Sequence, residues 1–113
     1  MDIRIEPSGS AVTTVRLSGR LDGTTTQTVE QAFLQAIEGG ATRFVFDMGG
    51  LEYVSSAGLR VMLLAAKKTR AAGGKIALFA LSDSVREVFE ISGFHTIFAL
   101  FGDEREASAF VAS

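Results

Sequence analysis

Two short stretches, Phe44-Val45-Phe46 and Ile76-Ala77-Leu78-Phe79-Ala80, are apolar at every position rather than at alternate ones. A strand of this kind is buried on both faces, as in the parallel part of a sheet that helices cover. Between the two stretches, from about Ser56 to Ala72, apolar side chains recur at helical spacing. Strand, helix, strand at this separation is a βαβ unit, whose crossover is right-handed in nearly all proteins. The rest of the chain must therefore supply cover for both faces of a parallel sheet.

The flanking segments supply it. Ile3-Arg4-Ile5 and Ala11 to Leu17 are rich in β-branched residues and are separated by Pro7-Ser8-Gly9-Ser10, which predicts two antiparallel strands. Thr24 with Gln27 three residues on has the form of a capping box. Behind it Val29, Phe33, Ala36 and Ile37 lie at helical spacing until Gly39-Gly40 ends the helix. A third helix, opened by Ser82, Asp83 or Ser84, turns Val85, Val88 and Phe89 inward and stops at Gly93. Thr96 to Leu100 reads as a last strand, and Asp103 opens a final helix with Ala107, Phe110 and Val111 on one face. The glycine pairs, Gly49-Gly50 among them, read as turns and helix ends. The expected fold is α/β, a mixed β-sheet of element order ββαβαβαβα covered by about four helices, with residues 1–113 as one domain.

Several functions are argued against by what the chain contains. Of its 113 residues 47% are hydrophobic and 21% charged, which suits a packed core and not a disordered segment. A formal net charge of −2 gives no basic excess to neutralise nucleic-acid phosphates, so no nucleic-acid partner is expected. No apolar run approaches the roughly 20 residues of a membrane span, and the N-terminus lacks a signal-peptide core, so a cytoplasmic protein without membrane insertion is expected. Cysteine is absent, and the single histidine, His95, follows Gly93-Phe94 with no nucleophile marked beside it. Neither the Gly-x-Ser-x-Gly elbow nor a phosphate loop nor a dinucleotide fingerprint occurs. The 13 carboxylates show no metal-ligand spacing; Asp47, at the end of a buried strand, reads either as a site residue or as the cap of the next turn. A binding protein with no catalytic residue, no metal and no cofactor is what remains.

The segment that speaks to function is Tyr53-Val54-Ser55-Ser56-Ala57-Gly58, at the start of the long helix. A helix N-terminus has unpaired backbone N–H groups and the positive end of the dipole, so it can hold a serine hydroxyl or a phosphate placed on it. Either Ser55 or Ser56 can also be a plain N-cap. At 100° per residue, Leu59, Met62, Leu63 and Ala66 form one apolar stripe, expected to face the sheet. Ala57, Val61 and Leu64 form a second, which either packs under another helix or is offered to a partner; if it serves a partner, its end beside the serines is expected to be at least partly exposed.

Leu17-Ser18-Gly19-Arg20-Leu21-Asp22 and Tyr53-Val54-Ser55-Ser56-Ala57-Gly58-Leu59-Arg60, in this order of elements, resemble the STAS domain and, within that family, the stand-alone anti-sigma factor antagonists. The resemblance runs over essentially the whole chain. It implies binding to a partner that is both anti-sigma factor and serine kinase, with release when a serine is phosphorylated and reversal by a PP2C-type phosphatase. Carried over through Gly58-Leu59, the phosphorylated serine is Ser56. Ser55 stands where the family often has an acidic residue. Asp22 matches the aspartate of the family's Gly-x-Leu-Asp turn, and the implied partner surface is Asp22, Thr24, Ser55, Ala57, Gly58, Arg60 and Val61. The other role found among such domains, an accessory subunit of a membrane transport complex, is the alternative.

Overall fold

The computed structural model describes residues 1–7 and 11–113; the turn expected at Pro7-Ser8-Gly9-Ser10 lies largely outside them. Strands β1 (Asp2–Pro7) and β2 (Thr13–Leu21) pair antiparallel. Helix α1 (Thr26–Glu38) leads to β3 (Arg43–Val54), and α2 (Ser56–Ala71) crosses to β4 (Lys75–Phe79). Helix α3 (Asp83–Ile91), a 3-10 turn (Phe94–Thr96), β5 (Ala99–Phe101) and α4 (Glu104–Ala112) complete the order ββαβαβαβα. The sheet order is β1-β2-β3-β4-β5, parallel from β2 onward.

The stretch Phe44-Val45-Phe46 of β3 is buried on both sides, as its run of apolar residues demands. Phe44 and Phe46 enter the larger core, where the Phe33 ring of α1 sits 4.8 Å from Phe44 and 6.1 Å from Phe46. Val45 points the other way, joining Val12, Ala77 and Phe79 beneath Ala107 and Val111 of α4. On that second face Arg16 holds four elements together. Its guanidinium donates to Glu6 of β1 at 2.7 Å, to Asp47 of β3 at 2.9 Å and to Glu104 of α4 at 3.2 Å. These hydrogen bonds, that to Glu6 foremost, raise its pKa above the ordinary arginine value.

The structure departs from the sequence reading in several elements. Gly49-Gly50 is no turn: β3 runs straight through it. The register against β2 slips there, from Arg16↔Asp47 to Ser18↔Gly50, so β3 carries an extra residue. A Cβ on Gly50 would stand 2.7 Å from the Ser18 Cβ, so only glycine allows this approach. Asp47 belongs to the bulge, its carboxylate accepting the Gly49 N–H at 2.9 Å. The last strand starts at Ala99, not Thr96. Gly93 adopts φ +76°, Thr96 donates its hydroxyl to the Gly93 carbonyl, and Phe94 turns back to meet Phe89 and Phe98 at ring distances of 6.0 and 6.2 Å. That aromatic cluster favours a 3-10 turn over an extended chain. His95 is exposed on this turn.

Helix α2 is rotated relative to the expected arrangement. Its buried residues are Gly58, Val61, Met62, Ala65, Ala66 and Thr69. Val61, on the ridge expected to be partly exposed if it serves a partner, is only 6% exposed, whereas Leu63, expected to face the sheet, is half-buried and joins neither core cluster. The cause is α1, which packs against α2 beside the sheet and widens the buried arc toward Val61 and Leu64. Gly58 and Ala65 in the middle of that arc let the backbone come close. The leucines had drawn the expected stripe because they are large, but close packing here selects small residues. The one buried hydroxyl on the helix, that of Thr69, donates to the Ala65 carbonyl at 2.8 Å.

Candidate functional site

The C-terminal ends of the parallel strands β2 and β3 meet where Leu21 pairs with Val54. One residue further, the Ser55 N–H donates to the Leu21 carbonyl at 2.9 Å, which fixes the first turn of α2 against the end of β2. Gly58 makes the contact feasible, since a Cβ there would fall 2.6 Å from the Leu21 carbonyl oxygen and 2.9 Å from its Cγ. Ser55 is the N-cap: it is extended, and its Oγ accepts from the Gly58 N–H at 3.2 Å. Ser56 is the first helical residue and is exposed. Among the described residues no side-chain hydrogen bond engages its hydroxyl. The two serines, open alternatives for the cap in the sequence, thus separate by role: Ser55 holds the helix start and Ser56 presents a free hydroxyl.

Beside them lies the turn from Leu21 into α1. Thr24 is not the N-cap of α1, as its place in the capping box suggests; α1 starts at Thr26 after Thr25, which makes no side-chain cap bond to the helix. Thr24 is committed elsewhere, donating its N–H and its hydroxyl to the Asp22 carboxylate at 2.9 and 2.6 Å. Thr25 accepts the Asp22 N–H at 3.0 Å and donates to the Arg20 carbonyl at 2.9 Å. The turn is closed on itself before the helix begins. The Thr24 hydroxyl, then its N–H, holds the Asp22 carboxyl below its ordinary pKa, with Arg20 adding a smaller effect in the same direction. Asp22 is therefore an anion on this surface.

Two residues at this end were not singled out from the sequence. The Arg20 guanidinium lies 4.2 Å from the centre of the Tyr53 ring, and its Nε is 3.7 Å from the Asp22 carboxylate. Tyr53 is 42% exposed, one of few large apolar side chains so open among the described residues. The strand pairing Arg20↔Tyr53 brings them together. Alternation from the inward Leu21 and Val54 would have pointed both residues to the other face.

Of the residues in the expected partner surface, Asp22, Thr24, Ser55, Ala57 and Arg60 come together at this end, with Gly23 and Ala57 lining one shared depression. Gly58 and Val61 are buried and act through packing. Among the described residues no group of three or more His, Asp or Glu side chains is placed to hold a metal ion, and no helix is long and apolar enough to cross a membrane.

A family model described as STAS domain matches residues 3–107. BtrV of Bordetella bronchiseptica, named for an anti-sigma factor antagonist role, is 44% identical over 93 residues, covering 82% of this chain and 79% of BtrV. The anti-sigma factor antagonist SpoIIAA in its unphosphorylated form superposes with a TM-score of 0.85 at 26% identity, over 97% of this chain and 96% of SpoIIAA. The phosphorylated form of SpoIIAA, a Bacillus cell fate determinant, gives a TM-score of 0.77 at 25% identity, over 97% and 99% of the two chains.

Proposed function

This chain belongs to the STAS domain family, and from that membership we propose that it is an anti-sigma factor antagonist whose binding is switched by phosphorylation of Ser56. The reading makes it a single cytoplasmic domain without catalysis or cofactor. Its partners are an anti-sigma factor that is also a serine kinase and a PP2C-type phosphatase that restores the free hydroxyl. The observation that carries it is the position of Ser56: exposed, its hydroxyl without a hydrogen-bond partner among the described residues, and first in a helix of 16 residues.

Local physics supports a switch that needs no refolding. Phosphate adds about −1.5 to −2 charges and three acceptor oxygens. The backbone N–H groups and the dipole at the start of α2 accommodate that anion, so the fold persists. What changes is the surface, where Asp22 is already negative and a partner fitted to the unmodified hydroxyl meets excess charge and bulk. The names of BtrV and SpoIIAA, and the existence of SpoIIAA in both phosphorylation states, support the same direction.

The test is incubation with the anti-sigma factor kinase of the same genome and ATP, followed by intact mass. One phosphate is expected, absent from Ser56→Ala. Label that persists in Ser56→Ala and disappears in Ser55→Ala would move the acceptor by one residue. Calorimetry with Ser56→Asp is expected to show binding weaker by about 1–3 kcal/mol, the cost of an unpaired charge at an interface. A chain ignored by the anti-sigma factor but bound by a transport permease would have the accessory role instead.

A further inference from the structure

The outward side of α2 carries more than Ser56. At 100° per residue Ser56, Arg60, Leu63 and Lys67 fall within about 60° of one another, opposite the buried Gly58, Val61, Met62 and Ala65. Leu63 packs on neither core cluster. Together with Leu64 it lines an open depression of about 500 Å³, whose rim includes Arg60 and Lys67 of α2 and Thr26 and Glu30 of α1. Arg60 and Lys67 are exposed, and neither forms an ion pair with any described residue. An apolar seat thus lies between two unpaired cations, on the same stripe as the phosphoacceptor.

We infer that this depression receives an acidic amphipathic segment of the anti-sigma factor, with an apolar side chain seated on Leu63 and Leu64 and carboxylates on either side meeting Arg60 and Lys67. The inference rests on the antagonist reading and names what that partner must present. Charge complementarity selects the occupant: two cations against the single Glu30 repel a basic segment and attract an acidic one. The leucines reward an apolar anchor, as in recognition of an amphipathic helix by a groove. Ser56 stands four residues before Arg60, a spacing at which helical side chains meet. A phosphate on Ser56 then engages Arg60 within the chain and repels the acidic segment, so one modification removes an attraction and adds a repulsion.

Calorimetry with the purified anti-sigma factor, at low and high salt, tests this. Leu63→Ser and the double variant Arg60→Glu/Lys67→Glu are each expected to weaken binding about tenfold or more, as loss of an interfacial anchor or reversal of facing charges does. Wild-type affinity falls with salt, and the double variant loses most of that dependence. Arg105→Glu, an exposed change on α4, binds as wild type. Melting curves establish that each variant is folded; should Leu63→Ser be unstable, the double variant, altered only at exposed positions, decides. If both bind like wild type while Ser56→Asp is impaired, the inference is overturned and the antagonist reading stands. If the anti-sigma factor ignores the wild-type chain, both fall.

Discussion

Helix α2 has an inner and an outer apolar edge, and they differ in what lies against them. The inner edge, Gly58, Val61, Met62 and Ala65, carries Gly58 and Ala65 at its middle and is closed off by the sheet on one side and α1 on the other. The outer edge has the larger Leu63, flanked by charge and open to solvent. The two smallest side chains thus sit on the buried edge, while the large Leu63 stays outside. Close approach of backbones selects small residues, while a large apolar side chain left outside, between cations and in line with Ser56, is available for contact. A helix can serve fold and recognition together when these demands fall on opposite edges, and each edge can then be altered alone.

The largest expected effect is on the inner edge. Val61→Glu places a carboxylate at a position 6% exposed, within the larger core cluster. Burying an uncompensated charge should cost about 3 kcal/mol or more and bring the melting transition down steeply. A Val61→Glu chain that melts like wild type would show that α1 and α2 part readily, and the distinction between the edges would fail.

How much of this arrangement is legible in the sequence depends on which force dominates each segment. Phe44-Val45-Phe46 and Ile76 to Phe79 are strands because continuous burial requires continuous apolar residues, and no nearby contact competes. Asp103 caps α4, and Ser82 is the cap among the three residues left open for α3, because the caps are local bonds to Glu106 and Val85 N–H groups. Thr24 misled because its hydroxyl satisfies an equally local rival, the Asp22 carboxylate. The length of β3 was hidden because a glycine pair has the same appearance in a turn and in a bulge, and only the approach of Ser18 decides between them. The rotation of α2 was hidden for a similar reason: a hydrophobic pattern records how apolar each position is, not which neighbour arrives beside it. At the site, Ser56 and Asp22 were legible through their motif, whereas Arg20 and Tyr53 required the strand register.

Gly58 sharpens the inner edge at its most crowded point. Gly58→Ala needs room for a methyl group 2.6 Å from the Leu21 carbonyl oxygen, so either α2 or the end of β2 must shift. Overpacking of this kind costs about 1–3 kcal/mol, to be read by denaturant unfolding. The shift also stretches the 2.9 Å bond from Ser55 to Leu21, which displaces Ser56, so phosphorylation by the kinase should slow in the same variant. Unchanged stability would mean that the helix start is loosely seated and that the glycine has some other use.

The smallest expected effect is on the outer edge, at Leu63. Leu63→Glu is the same chemical change as Val61→Glu, only two residues away and in the same helix, so helix propensity barely distinguishes the pair. Any difference between them must come from surroundings. Leu63 is half-buried at the mouth of an open depression, where a carboxylate reaches water and has Arg60 and Lys67 three residues before and four residues after it on the same side. Those are spacings at which opposite charges on a helix attract, by about 0.2–0.5 kcal/mol per pair. The lost apolar burial of the half-buried Leu63 works in the other direction and is partial because the site is open. Stability should therefore change by no more than about 0.5 kcal/mol, the ordinary range for a surface position, and the melting curve should nearly overlay that of wild type. Loss of several kcal/mol would place Leu63 in the core, return the helix to the orientation its leucines suggest, and leave the anti-sigma factor no apolar seat on α2.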